Sequence, residues 1–289
     1  LPETIVCAED LEKWFGKNQA LKGVSFTIGR GDIYGFVGKN GAGKTTVMRI
    51  LCGLMRQDRG RIRMAGAGVR KGDRGVFLGF LPQSIRFDDS ESAGSLIRFF
   101  SRLKKADARK ALRFASEIGL ELDKKAKYLS PGQQRKLQLA VATIGNPELL
   151  VFDEPTAGLD PMGVQTIRNC IAELNRLGST VFISSHVLSE LDNLCGKVAV
   201  IDGGRILYQG PCGSEYELDT GETEICGEVL AKCGHSGLLR AAGGKIIAKV
   251  GRGDIPGLLG YLYENGVPVY GVKQVGLEIF YNRIVKDGA

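Results

Sequence analysis

The chain has 289 residues, 43% hydrophobic and 25% charged, with 39 Lys and Arg against 32 Asp and Glu for a net charge of +7. That apolar content suffices for a buried core, and no apolar run nears the roughly 18 residues of a membrane span. Glycine, at 41 residues, is about twice its usual share, yet it shows no three-residue period and only 9 prolines accompany it, which excludes collagen and low-complexity linker.

In chain order, residues 5–36 alternate apolar and polar positions around a Gly-rich turn at Gly29-Arg30-Gly31-Asp32, which predicts antiparallel strands and a hairpin. Ile33 to Val37 is a short buried strand, followed by a Gly-rich turn and a helix over Thr45–Leu54. Residues 92–120 have helical apolar spacing. From 130 the order is helix, buried strand (Leu149–Phe152), helix (Gly163–Leu177), buried strand (Val181–Ser184), then a sheet-like stretch over Val198–Leu207. Strands alternating with helices predict an α/β fold on a parallel sheet, here with a helical insertion at about 88–145. Beyond residue 215 the pattern predicts a small α+β annex, with strands near 223–229, 245–250 and 267–275 and helices at 236–242, 254–264 and 277–286. The expected organisation is therefore 1–215 as the main domain and 216–289 as an accessory one.

Residues 98–127 hold ten Lys and Arg against four Asp and Glu, so the positive charge concentrates on the insertion. A solvated helix face explains this, and a surface for anionic lipid or another protein is the alternative. The 7 cysteines are scattered, without a CxxC pair and with only 2 His beside them. They are expected to be buried thiols of a reducing compartment rather than zinc ligands or disulfides.

Two stretches carry chemistry. Gly38-Lys39-Asn40-Gly41-Ala42-Gly43-Lys44-Thr45 fits G-x-x-x-x-G-K-[ST] between a buried strand and a helix. Such glycines let successive backbone N–H groups curl around phosphates. Lys44 then reaches the β- and γ-phosphates, and the Thr45 hydroxyl can ligate Mg²⁺. Downstream, the apolar run Leu149–Phe152 ends in Asp153-Glu154. One acid at a strand end can hold the metal, and its neighbour can orient or deprotonate an attacking water.

Around these lie Leu81-Pro82-Gln83, Leu129-Ser130-Pro131-Gly132-Gln133, Glu154-Pro155-Thr156-Ala157-Gly158-Leu159-Asp160 and Ser185-His186. In this order and spacing they resemble the Q-loop, LSGGQ signature, D-loop and switch histidine of the nucleotide-binding subunits of ABC transporters, over nearly the whole chain. The flanking text and the annex are most similar to the ABC-2-type exporter group. The resemblance implies a P-loop NTPase cassette with an N-terminal antiparallel β subdomain, a helical insertion subdomain and a C-terminal α+β annex.

It also implies roles. Phe15 stacks on adenine, Trp14 beside it being assigned to strand packing. The loop from Gly38 through Lys39, Asn40, Gly41, Ala42, Gly43, Lys44 and Thr45 to Thr46 holds the nucleotide. Thr45, Gln83 and Asp153 surround Mg²⁺, Glu154 is the catalytic base and His186 senses the γ-phosphate. Ser130, Gly132 and Gln133 act in trans on the ATP of a second copy, with Asp160 at that interface. The implied partners are ATP, a second copy and an integral membrane permease, with no direct nucleic acid, and the implied location is the cytoplasmic face of a membrane. Pro131 replaces the family's usual Gly and removes a backbone donor. Two other readings stand beside this one: a soluble ABC ATPase acting on nucleic acid or ribosomes, and an ATP-gated regulatory subunit with weak turnover.

Overall fold

A computed structural model describes residues 3–64, 77–192, 194–212, 215–221, 238–240, 245–250 and 254–287. The chain divides into two compact units, Leu1–Gly210 and Pro211–Ala289.

The first unit opens with β1 (Thr4–Phe15) and β2 (Asn18–Gly29), which pair antiparallel; β4 (Arg59–Met64) joins β1 on its other edge, giving the order β2-β1-β4. The alternation is plain in β2, where Val24, Phe26 and Ile28 are buried and Ser25 and Thr27 exposed, as a half-buried sheet requires. The hairpin reverses at Gly16-Lys17, where Gly16 takes φ 59°. The expected turn at residues 29–32 instead leads from this sheet into the next. There Asp32 Oδ2 accepts from the Gly29 N–H at 2.8 Å and from Lys197 Nζ at 2.9 Å.

The second sheet has six strands in the order β5-β6-β7-β3-β8-β9: β3 (Ile33–Val37), β5 (Leu78–Leu81), β6 (Leu149–Asp153), β7 (Thr180–Ser185), β8 (Lys197–Asp202) and β9 (Arg205–Pro211). β5, β6, β7, β3 and β8 are mutually parallel. Every residue of β6 and β7 is buried, the apolar runs Leu149–Phe152 and Val181–Ile183 together with the polar Asp153, Thr180, Ser184 and Ser185 at their ends. Packing across the first unit is led by Phe26, which stacks on Phe182 at 5.5 Å and meets Phe36 at 5.7 Å. The α/β class expected from the sequence is borne out.

Helix α1 (Lys44–Leu51) follows β3. The insertion contains α2 (Ala93–Leu103), α3 (Ala108–Glu117) and α4 (Pro131–Ala142), with a separate apolar cluster of its own that includes Leu96, Ile97, Ala111, Ala115, Leu137 and Ile144. Helix α5 (Pro161–Arg176) links β6 to β7.

In the second unit β10 (Glu215–Asp219), β11 (Leu238–Arg240), β12 (Lys245–Lys249) and β13 (Gly271–Gln274) form an antiparallel sheet ordered β11-β12-β10-β13. It carries α6 (Ile255–Glu264) and α7 (Leu277–Asp287), and Leu218, Ile246, Leu258 and Leu262 form its core. The helix expected over 236–242 is instead strand β11 where described. The strand expected at 223–229 lies outside the described residues.

Candidate active site

In a parallel sheet the carboxyl ends of the strands share one edge, and ligands bind there. Here Val37 pairs with Ser185, Asp153 with Ser184, and Leu81 with Phe152. Four chain segments therefore leave the sheet side by side: the Gly-rich loop after β3, Pro82-Gln83 after β5, Glu154 after β6 and His186 after β7.

The Gly-rich loop is shaped by close approach. A Cβ at Gly38 would lie 2.2 Å from the Ile201 carbonyl oxygen, and Gly43 takes φ +111° with Leu21 2.8 Å from where its Cβ would stand. Only glycine fits either place. Gly43 caps α1 with no side-chain hydrogen bond, and no acid occupies the first turn. Such an N-terminus presents backbone donors and partial positive charge to an anion. Lys39, Asn40 and Gly41 are exposed, Ala42 is buried, and Thr45 and Thr46 are half-buried. Lys44 is buried, its Nζ donating to the Gly38 carbonyl at 2.7 Å and the Lys39 carbonyl at 3.2 Å.

Lys44 also lies 3.3 Å from Glu154 Oε1, whose other oxygen meets His186 Nδ1 at 2.5 Å. Glu154, expected as the base, thus touches both Lys44 and His186, the two residues expected at the phosphate. Glu154 has φ +51°, a left-handed conformation that few non-glycine residues adopt. Its N–H donates to Ser184 Oγ at 3.0 Å, and that hydroxyl donates to Asp153 Oδ1 at 2.7 Å. Asp153 is 1% exposed, and Ser184 is fully buried.

The pair Thr45 and Asp153 offers a hydroxyl and a carboxylate, the oxygen donors that suit Mg²⁺. No protein hydrogen bond engages the Thr45 hydroxyl among the described residues. Gln83 is exposed, and its backbone carbonyl accepts from Arg135 Nη2 at 3.3 Å.

Ser130, Gly132 and Asp160 stand apart from Lys44, Glu154 and His186, with no hydrogen bond to them. Together with Pro131, Gly158 and Met162 they line a pocket of about 400 Å³. Ser130 caps α4, accepting from the Gln133 N–H at 3.3 Å, and Asp160 caps α5, accepting from the Gly163 N–H at 2.7 Å. Pro131 occupies the first turn of α4, where its missing N–H would have had no helical partner anyway. A Cβ on Gly132 would meet nothing within 4 Å, so space over the helix start is open. The Gln133 side chain turns back into the insertion, accepting from the Glu121 N–H at 3.0 Å and donating to the Gly119 carbonyl at 2.9 Å. Phe15 ends β1 at 47% exposure, with Lys13 Nζ 5.9 Å from its ring centroid. Trp14, half-buried, lies under Arg59 at 5.7 Å.

Sequence reasoning missed three side chains. Ser184 bridges the two acids. Glu190 Oε2 accepts from the hydroxyls of Thr156 and, at 3.3 Å, Ser185, tying the segment after β6 to the one after β7. Arg135 reaches from α4 to the strand ends. Each lies outside the motif that it serves, and only the folded chain brings it there.

A family model described as "ABC transporter" matches residues 21–157. The daunorubicin resistance ATP-binding protein DrrA3 of Streptomyces coeruleorubidus is 34% identical over 245 residues, covering 82% of this chain and 77% of that protein. The bacitracin transport ATP-binding protein BcrA of Bacillus licheniformis is 35% identical over 214 residues, covering 72% and 70% respectively. Among solved structures, cbiO1 of Clostridium perfringens, part of the ABC transporter complex cbiONQ, superimposes with a TM-score of 0.65 at 30% identity, covering 72% of this chain and 89% of that one.

Proposed function

The chain belongs to the ABC transporter ATP-binding family, and from that premise we propose that two copies close on two ATP molecules and hydrolyse them to drive a separate membrane permease, as an exporter. The family membership expected from the motifs is borne out, and the relatives do not favour the reading as a nucleic-acid or ribosome ATPase. The direct contact of Lys44, Glu154 and His186 across three strand ends is the observation that carries the catalytic part. Export draws its support from relatives named for daunorubicin resistance, bacitracin transport and Nod factor export.

Backbone N–H groups of the loop from Gly38 to Thr46 take the phosphates, and Phe15 stacks on the adenine. The Lys44 ammonium has three donors, and an entering phosphate competes with Glu154 for one of them. Glu154, released from Lys44 and still touching His186, accepts the proton of the attacking water. His186 Nδ1 donates to the Glu154 carboxylate, and with the ring doubly protonated its Nε2 donates to the γ-phosphate, so one ring registers both the base and the phosphate. Thr45 and Asp153, with Gln83, would hold Mg²⁺, which supplies charge neutralisation on the phosphate oxygens when bound.

Ser130 and Gly132 form an open helix start beside Asp160, a surface suited to the γ-phosphate held by the second copy. Closure completes both sites, and hydrolysis severs the γ-phosphate that bridges the two copies, so that its release lets them open. No described helix is long and apolar enough to cross a membrane. Location at the cytoplasmic face of the membrane follows in this proposal from docking on the permease, and the second unit is an accessory domain. The test is Glu154→Gln, which should keep ATP binding and dimerisation and lose turnover.

A further inference from the structure

Arg135 belongs to none of the motifs that the mechanism uses. It lies on α4, one turn beyond Ser130 and Gly132, and is 7% exposed. Nη1 donates to Gln138 Oε1 at 2.8 Å and to the Pro82 carbonyl at 3.4 Å. Nη2 donates to the Gln83 carbonyl at 3.3 Å and to the Glu154 carbonyl at 3.4 Å. None of these partners is a carboxylate. Burial pushes the guanidinium's pKa down, against the opposing pull of the Asp153 charge. Stripping water from a cation is costly, and a side chain needed only for packing would be apolar. A planar fork of donors, by contrast, can hold several carbonyls in fixed relation.

The carbonyl of Glu154 is a significant one to hold. A non-glycine residue in the left-handed region persists only where its surroundings over-determine it. Glu154 is gripped on every side: its N–H by Ser184, its carboxylate by Lys44 and His186, and its carbonyl by the Ala157 N–H at 3.2 Å and by Arg135. Arg135 is the one of these holders that comes from the helical insertion, and the same helix starts with the signature.

We propose that Arg135 is a positioning residue for hydrolysis, its guanidinium fixing the peptides of Glu154 and Gln83 from the signature helix so that the Glu154 carboxylate is aimed only while α4 is seated. The proposal rests on Glu154 as the base. It makes the helix that meets the partner's nucleotide a support for the base beside this copy's own nucleotide. Each site is thereby made sensitive to the seating of the other.

The test compares the full chain with Arg135→Met and Arg135→Lys, reading kcat and KM for ATP, the thermal midpoint, and ATP-driven dimerisation in the Glu154→Gln background. Arg135→Met should lower kcat about 10- to 100-fold, the scale of a misplaced catalytic group. KM should stay within about twofold, and dimerisation should be unchanged, because Arg135 holds the backbone carbonyl of Gln83 and not its side-chain amide. Arg135→Lys should recover part of kcat, since one ammonium reaches some of the carbonyls. An unchanged kcat in folded Arg135→Met would overturn the proposal. So would a rise in KM as large as the fall in kcat, or a kcat loss that lysine fails to relieve while the thermal midpoint is restored. Should Arg135→Met not fold, Arg135→Lys decides alone: it must lower kcat at unchanged KM. Turnover by Glu154→Gln itself would instead remove the base assignment.

Discussion

Ser184→Ala tests whether the two acids are held as a unit. The Ser184 hydroxyl donates to Asp153 Oδ1 at 2.7 Å and accepts the Glu154 N–H at 3.0 Å, with no exposure to water. Alanine leaves a buried carboxylate short of a donor, at about 1.5–3 kcal/mol, and a buried N–H without an acceptor, at about 1–3 kcal/mol. The two losses share one hydroxyl and relax together, so a combined cost of about 2–4 kcal/mol is expected rather than their sum. At about 2–4 °C per kcal/mol for a domain of this size, the thermal midpoint of the first unit should fall by about 5–15 °C. Urea unfolding should show a lower midpoint at an unchanged slope. Below the new transition, kcat should fall about tenfold with little change in KM, because the phosphate contacts of the Gly-rich loop are untouched. A stability loss under about 0.5 kcal/mol together with full kcat would refute the claim that this hydroxyl supports both acids.

Two further substitutions probe the loop and the signature. Gly38→Ala puts a methyl 2.2 Å from the Ile201 carbonyl, so the loop must move; nucleotide affinity measured by a fluorescent ATP analogue should fall at least about tenfold, and retained affinity would show that the loop tolerates the shift. Pro131→Gly should change kcat by less than about twofold and cost about 0.4–1 kcal/mol, since proline in the first helical turn is already pre-organised and glycine loosens the unfolded chain. A large gain in kcat for Pro131→Gly would support the reading of this chain as a subunit throttled at its signature.

The Gly-rich loop and the acidic strand end were legible because their residues are contiguous. A buried strand, a run of glycines and a Lys-Thr pair sit within one stretch of chain, and so does Leu149 to Glu154. The parallel sheet was legible for a similar reason, since β6 and β7 carry the apolar runs Leu149–Phe152 and Val181–Ile183 and are bounded by helices. The hairpin was misplaced because two Gly-containing turns compete in the same text. Gly16-Lys17 is short enough to reverse one sheet on itself, whereas residues 29–32 use Asp32 to brace a crossing between sheets.

Arg135, Ser184 and Glu190 were illegible for a different reason. Their partners lie at sequence distances of 19 to 53 residues in the Arg135 bonds to Glu154 and Pro82, for example, and no local pattern encodes such convergence. Gln133 shows the converse. Its place in the signature motif suggests a ligand, while its amide is engaged at Gly119 and Glu121 within the insertion. Pro131, in the first turn of α4, lacks an N–H that would have had no helical partner there, and Pro131→Gly tests what it does to turnover.

The central claim is that Glu154 drives hydrolysis at a site which two copies complete, and the direct measurement is on Glu154→Gln with ATP and Mg²⁺. The account predicts that the substituted chain elutes as a dimer with ATP and as a monomer without it, with phosphate release reduced at least about a hundredfold. Normal phosphate release by Glu154→Gln, or failure of ATP to draw two copies together, would contradict it.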